Sequence, residues 1–244
     1  MRKTFSGILF VFSILPIGIS YAITPQEILQ KIDEIRAPAN TFVFHLKVTV
    51  NKDEEGSKAE FLVRVKDARK SLVIYKSPPS NKGRVLLLVE NNMWIYIPGT
   101  RNPLRISPQQ QIIGRVSNAD AARVVYSLDY NAESVTEDVL DGQKVLKLIL
   151  IAKTTGAAYK SINLWVENNT YQPIKAEFFA VSGKILKTAY YKEYKEILGK
   201  KRPTVLEIHD EIRESEVSIM EYSDMRIEDT PDAYFQKTFM DRVE

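Results

Sequence analysis

Beyond residue 40 the apolar residues fall mostly on every second position. Phe42, Phe44, Leu46, Val48 and Val50 share one parity, and His45, Lys47 and Thr49 stand between them. A period of two predicts a strand with one buried face. Similar segments follow at 60–66, 72–75, 84–90, 93–97, 144–153, 159–167, 172–181, 184–194, 204–212 and 217–227, with another starting near Glu133. Turn residues separate them, among them Asp53-Glu54-Glu55-Gly56, Pro98-Gly99, Asp141-Gly142, Ser182-Gly183 and Glu214-Ser215. Asp-Gly between apolar runs is a strong hairpin signal.

The period becomes helical in three places. Thr24-Pro25-Gln26-Glu27 has the layout of a capping box with proline in the first turn. Ile28, Leu29, Ile32 and Ile35 then share one face. Residues 107–131 interrupt the strand series with a loop and a helix expected over 118–129, through Ala121, Ala122, Val125 and Leu128. A connection this long inside a sheet protein is usually a functional loop. Thr230-Pro231-Asp232 starts a last short helix carrying Tyr234, Phe235 and Phe239.

About a dozen strands joined by tight turns make an antiparallel meander, which must curl or close. The fold class is therefore mainly β (α+β). Outer strand positions are already charged, so all three helical pieces are expected inside the concavity.

The first 22 residues stand apart. Arg2 and Lys3 precede an apolar run from Ile8 to Ile19, and Ser20-Tyr21-Ala22 offers small residues where a signal peptidase reads. This is the layout of a cleaved secretory signal. Residues 23–244 are read as one domain. Loss of Arg2 and Lys3 takes the net charge from +3 to +1, so no basic stripe is left to grip nucleic acid. The chain has no Cys. That excludes disulfides, thiolate metal sites and Cys nucleophiles, and it suits an oxidising periplasm.

Little points to catalysis. His45 and His209 are the two histidines, and both fall on polar strand faces. There is no Gly-x-Ser-x-Gly elbow, no His-Glu-x-x-His and no phosphate-binding Gly-x-x-x-x-Gly-Lys loop. No metal and no cofactor is expected. Glu207, Asp210, Glu211 and Glu214 cluster, as do Glu133, Glu137 and Asp138, but Lys or Arg lies near each cluster and a solvated face accounts for them.

The unusual feature is apolar residues on both faces of several strands. Leu146, Leu148 and Leu150 oppose Val145, Ile149 and Ile151, and 85–89 and 93–97 are nearly continuous apolar runs. Such strands need cover on both sides. Phe42, Phe44, Leu46, Trp94, Tyr96, Trp165, Phe178 and Tyr190 are the residues expected to line a concave apolar cavity. Burial contributes about 0.8 kcal/mol per CH₂, so such a cavity suits an acyl chain. The first helix and the 118–129 helix would then be lids. A one-residue slip in any strand would exchange inside for outside.

Specific residues carry a family resemblance. Tyr75-Lys76-Ser77-Pro78-Pro79, Lys82-Gly83 and Met93-Trp94-Ile95-Tyr96-Ile97-Pro98 resemble the LolA-like outer-membrane lipoprotein-sorting family. So do Leu164-Trp165-Val166, Gln172-Pro173-Ile174-Lys175-Ala176-Glu177-Phe178-Phe179 and Gly183-Lys184-Ile185-Leu186-Lys187-Thr188. The resemblance implies a strongly curved, half-open antiparallel sheet with helices in its concavity. It also implies lipid or lipoprotein-acyl binding, since LolA and LolB carry acylated lipoproteins across the periplasm, and it implies no enzyme. It assigns no arginine here as the anchor of a lid. The leading expectation is a periplasmic carrier whose partner is a lipid or an acylated lipoprotein, moving it toward the outer membrane. The alternative is an envelope adaptor with a filled core, partnering an inner-membrane transporter.

Overall fold

The computed structural model describes residues 23–51, 57–122, 125–212 and 216–243. The segment 1–22 expected to be a signal, the turn expected at 53–56 and Glu214 lie outside them. Two runs of hairpins make up the sheet. The first comprises β1 (Phe42–Val50), β2 (Lys58–Lys66), β3 (Lys70–Ser77), β4 (Val85–Val89), β5 (Asn92–Tyr96) and β6 (Leu104–Ile106). A crossover follows, with a small hairpin of β7 (Gln111–Ile113) and β8 (Val116–Ser117). The second run comprises β9 (Tyr130–Leu140), β10 (Gln143–Ala152), β11 (Ser161–Glu167), β12 (Pro173–Phe179), β13 (Ile185–Ile197), β14 (Lys200–Asp210) and β15 (Val217–Arg226).

The strand order is β6-β5-β4-β3-β2-β1-β15-β14-β13-β12-β11-β10-β9, a 13-stranded sheet. Every neighbouring pair is antiparallel and consecutive except β1 with β15, which joins the two runs. β6 and β9 are the two ends, so the sheet stays open. The 107–129 crossover connects one open edge to the other. The expected tight turns are present: Asp141 and Gly142 hold φ of 50° and 78°, the two positive values that a two-residue β9–β10 turn needs.

Helix α1 (Pro25–Arg36) lies inside the curve. It touches both edge strand β9 and central strand β14, which a flat sheet could not allow. The capping box is formed as the sequence predicts: the Thr24 hydroxyl accepts from the Glu27 N–H, and the Glu27 carboxylate accepts from the Thr24 N–H. At the other end Arg202 of β14 donates to the Glu34 and Ile35 carbonyls at 2.6 and 2.7 Å. These are carbonyls the helix cannot satisfy itself. Ile28, Leu29 and Ile32 are buried in the main core, and each contributes about 1.5–3 kcal/mol. The helix is thus fixed at both ends and along one face.

Two apolar clusters lie on opposite faces of the sheet. The inner one gathers Phe42, Phe44 and Leu46 with Phe61, Leu86, Leu148 and Phe178. The outer one gathers Val43, Leu62, Leu72, Ile74, Val85 and Leu87 under Phe235, Met240 and Val243. This corrects two expectations. The last helical piece does not enter the concavity; it straps the outside of β3, β4 and β5, because those strands are apolar on their outer face as well. It is also two 3₁₀ segments, Asp232–Phe235 and Lys237–Arg242. Lys66 lies 3.5 Å from Asp229 and 3.4 Å from Asp232 along its rim.

The crossover is seated at one tight point. Gly114 has φ of +50°, and a Cβ there would stand 2.5 Å from Ser218 Oγ and 2.7 Å from Val50 Cγ2. Neighbouring Arg115 donates its N–H to Ser218 Oγ, reaches the Leu186 carbonyl and lies 3.1 Å from Asp210. Gly114→Ala is expected to destabilise by about 1–3 kcal/mol, from overpacking and a strained φ. An unchanged urea midpoint would contradict this seating.

Candidate functional site

Helix α2 (Asn118–Ala122) and the turn that follows it cover the inner core from the crossover. The α-helix is one and a half turns long, shorter than the 118–129 expected; residues 126–129 turn instead. Its buried apolar surface is small. Ala121 and Ala122 face the core, and a buried methyl-sized group contributes only about 0.8 kcal/mol.

Polar latches act together with apolar contact here, since Val125 is also buried in the inner core and Tyr126 and Leu128 pack against it. At the first latch Asp120 accepts from the Ser117 N–H at 2.7 Å, from the Tyr159 hydroxyl at 3.0 Å and from Lys187 Nζ. Lys187 is buried and also lies over the Tyr159 and Phe178 rings. Desolvation holds its ammonium below the usual lysine range, against the pull of Asp120. At the second latch Asp33 of α1 accepts the Tyr126 and Ser127 N–H groups at 2.7 and 2.6 Å. Arg36 packs over the Tyr126 ring at 3.8 Å, and the Tyr126 and Tyr191 hydroxyls pair at 2.8 Å. Burial pushes the Tyr126, Tyr191 and Tyr222 hydroxyls up, so all three remain O–H groups at neutral pH.

Three cavities run in a row beneath and beside these latches. The outermost, of about 470 Å³, lies between the 152–160 loop, Phe179–Val181 and Gln109 of the crossover. It shares Ala158 and Tyr159 with an inner cavity of about 40 Å³ that reaches Phe178, Lys187 and Ile208. That cavity shares Arg36, Leu206 and Tyr222 with a third of about 30 Å³, walled also by Phe44, Pro203 and Met225. Tyr159 therefore stands at the first junction, and Arg36 with Tyr222 at the second. The outer cleft falls in the range of small-ligand pockets, roughly 300–1,000 Å³. The inner two admit only a few water-sized groups each, at about 10–15 Å³ apiece.

The residues expected to line a cavity divide between the faces. Phe42, Phe44, Leu46 and Phe178 lie in the inner cluster, with Phe44 and Phe178 at cavity walls. Trp94 and Tyr96 face outward against the C-terminal strap, with Lys237 over the Trp94 ring. Trp165 also faces outward, between Lys147 and Lys175, and donates to Asp138 at 2.7 Å. Tyr190 faces outward beside His209. The parity of these four is the reverse of that expected. Lysine stems shield Trp165, and both faces of β5 are covered, so neither strand announces its inner side.

His45 lies on the exposed face beside Asp224, and His209 bonds Glu207. Glu207 also pairs with Lys192, Asp210 with Arg115, and Glu211 with the Thr188 hydroxyl. None of these carboxylates lines the cavities; Asp120 and Asp129 do. Among the described residues no group of three or more His, Asp or Glu is placed to hold a metal ion. Arg36 is the principal cavity residue absent from the expected set. Its signal was its position, seven residues after Leu29 and four after Ile32, which puts a charge on the apolar stripe of α1.

Comparison with solved structures bears on this architecture directly. A LolA superfamily protein from Nitrosomonas europaea, NE2245, is 33% identical, and the match covers 89% of this chain and 100% of that one with a TM-score of 0.84. The chain belongs to the LolA superfamily. A family model described as "-like: Uncharacterized protein" matches residues 67–242. Two more distant structures share the fold. One is a domain assigned as an outer membrane lipoprotein-sorting protein from Vibrio parahaemolyticus, 20% identical, covering 89% of this chain and 98% of that one, TM-score 0.70. The other is a DUF1329 family protein from Desulfovibrio piger, 18% identical, covering 88% and 97%, TM-score 0.72. No curated protein matches. Within the superfamily fold, the half-open sheet with α1 inside is thus the common frame, and the latches are read on this chain's own residues.

Proposed function

We propose that this protein is a carrier for a lipid or for the acyl chains of a lipoprotein. It would act in the periplasm, after loss of residues 1–22, and move its cargo toward the outer membrane. The observation that carries the reading is the row of cavities under a crossover held by polar latches. Apolar cargo can take over the contacts that Ala121, Ala122 and Val125 make with the inner core, so withdrawal of the crossover exchanges one apolar surface for another. The latch groups can take water when the crossover withdraws. The outer cleft offers an entrance, and Tyr159 would swing to join it to the inner cavity. α1 would stay in place, since Arg202 and the capping box hold its two ends. Carriage of this kind needs no acid, base or metal.

A second reading is supported by the small inner volumes. An adaptor that partners a membrane transporter needs a filled core, and about 40 and 30 Å³ come close to that. Native mass spectrometry separates the two. A carrier is expected to co-purify with lipid, or to gain one lipid mass on mixing with phosphatidylglycerol or a triacylated lipopeptide. A clean protein mass with no gain would refute carriage and favour the adaptor.

A further inference from the structure

One end of the cavity row holds a guanidinium with an unused donor. Arg36 Nη1 is sealed from solvent and has no hydrogen-bond partner. The side chain keeps only 10% of its surface exposed. A guanidinium carries five donors and is always charged, so leaving one sealed and unused is costly. Asp33 answers it only in part: Asp33 Oδ1 is 3.8 Å from Nη1, an ion-pair distance but too long for a hydrogen bond. Burial also pushes the Asp33 carboxyl up, so it resists carrying the countercharge. Tyr222 stands beside Arg36 at the junction, and its hydroxyl has only Met220 Sδ, at 4.0 Å. Two side chains with under-used donors therefore line both of the smaller cavities. One side of that junction is apolar, with Phe44, Pro203 and Met225.

We infer that the site selects an acidic amphiphile, whose carboxylate or phosphate head seats between Arg36 and Tyr222 while its acyl chain follows the cavity row. This rests on the carrier reading and names the class of cargo within it. A cavity of about 40 Å³ suits a head group and not a chain, so the chain requires the crossover to withdraw. Neutral lipids of equal chain length would leave the guanidinium unpaired and lose the difference in affinity.

The test compares palmitate and palmitoyl lysophosphatidic acid with monopalmitoylglycerol and inorganic phosphate, by calorimetry and native mass spectrometry. The two acids are expected to bind at least about tenfold more tightly than the neutral lipid, the usual scale of a hydrogen bond to a charged group. Phosphate alone should bind far more weakly. Arg36→Met is expected to erase the preference. Tyr222→Phe, which keeps the ring, is expected to reduce it by about threefold, and it carries the test should Arg36→Met fail to fold. Equal affinities for acid and neutral lipid would overturn the head-group inference and leave carriage standing. So would a preference that persists in folded Arg36→Met. Phosphate binding as tightly as the acids would replace the amphiphile with a free anion. No binding of any lipid would overturn both readings.

Discussion

Lys187→Met is expected to lower the unfolding free energy by about 3–5 kcal/mol, the scale for removing one partner of a buried ion pair. Lys187 is 3% exposed, and Asp120 would be left among Tyr159, Phe178 and the crossover without its countercharge. The loss should shrink when Asp120→Asn is added. Asparagine can still accept the Ser117 N–H through its side-chain oxygen, and nothing charged is then stranded. The pair of single variants and the double variant, unfolded in urea, form a cycle. Additive losses would show that the two groups do not meet. The single variant should also weaken the first latch, because Asp120 ties α2 to β13 through this contact. Bis-ANS fluorescence of native Lys187→Met is accordingly expected to exceed that of the parent chain.

The second large effect lies on the opposite face. Phe235→Ala is expected to cost about 3–5 kcal/mol, the usual range for emptying a buried aromatic position. Phe235 is 6% exposed and caps Leu72, Ile74, Val85 and Leu87 on the outer side of the sheet. The ion pairs along the strap's rim are exposed and orient it more than they hold it. Phe239→Ala is a useful contrast, since Phe239 is only partly buried and stacks on Tyr234. Its loss should be clearly smaller. Equal losses would mean that the strap is bound by its rim and not by Phe235. Lipid binding should be spared in Phe235→Ala at temperatures where it stays folded, because the strap and the cavities are on different faces.

The strands were legible where one face is wet. β1 shows this best: Lys47 and Thr49 alternate with Leu46 and Val48, and the structure keeps that parity. The capping box of α1 was also legible, because both of its bonds are local in sequence. Parity failed at Trp94, Tyr96, Trp165 and Tyr190 for a common physical reason. When a strap covers the outer face, or lysine stems lie over an aromatic ring, the outer side is apolar too and alternation carries no sign. β6, β7 and β8 were missed because two or three residues cannot display a period. The cavity itself depends on contacts between elements far apart in the chain. Arg36, Tyr159 and Tyr222 meet across nearly 190 residues, and no local pattern records that. What could be read was the anomaly of a charged residue on the apolar stripe of α1.

The seam between β1 and β15 has a consequence for how the chain folds. Every other neighbouring pair in the sheet meets through a nearby turn. β1 must wait for its second neighbour, since Val43 pairs with Arg226 and Val50 with Ser218. Until β15 pairs, the first run of strands carries an unsatisfied backbone edge beside Phe42 and Phe44, whose inner-face cover is also incomplete. A folding molecule is therefore most open to mispairing before this seam closes, and pairing of β15 ends that exposure.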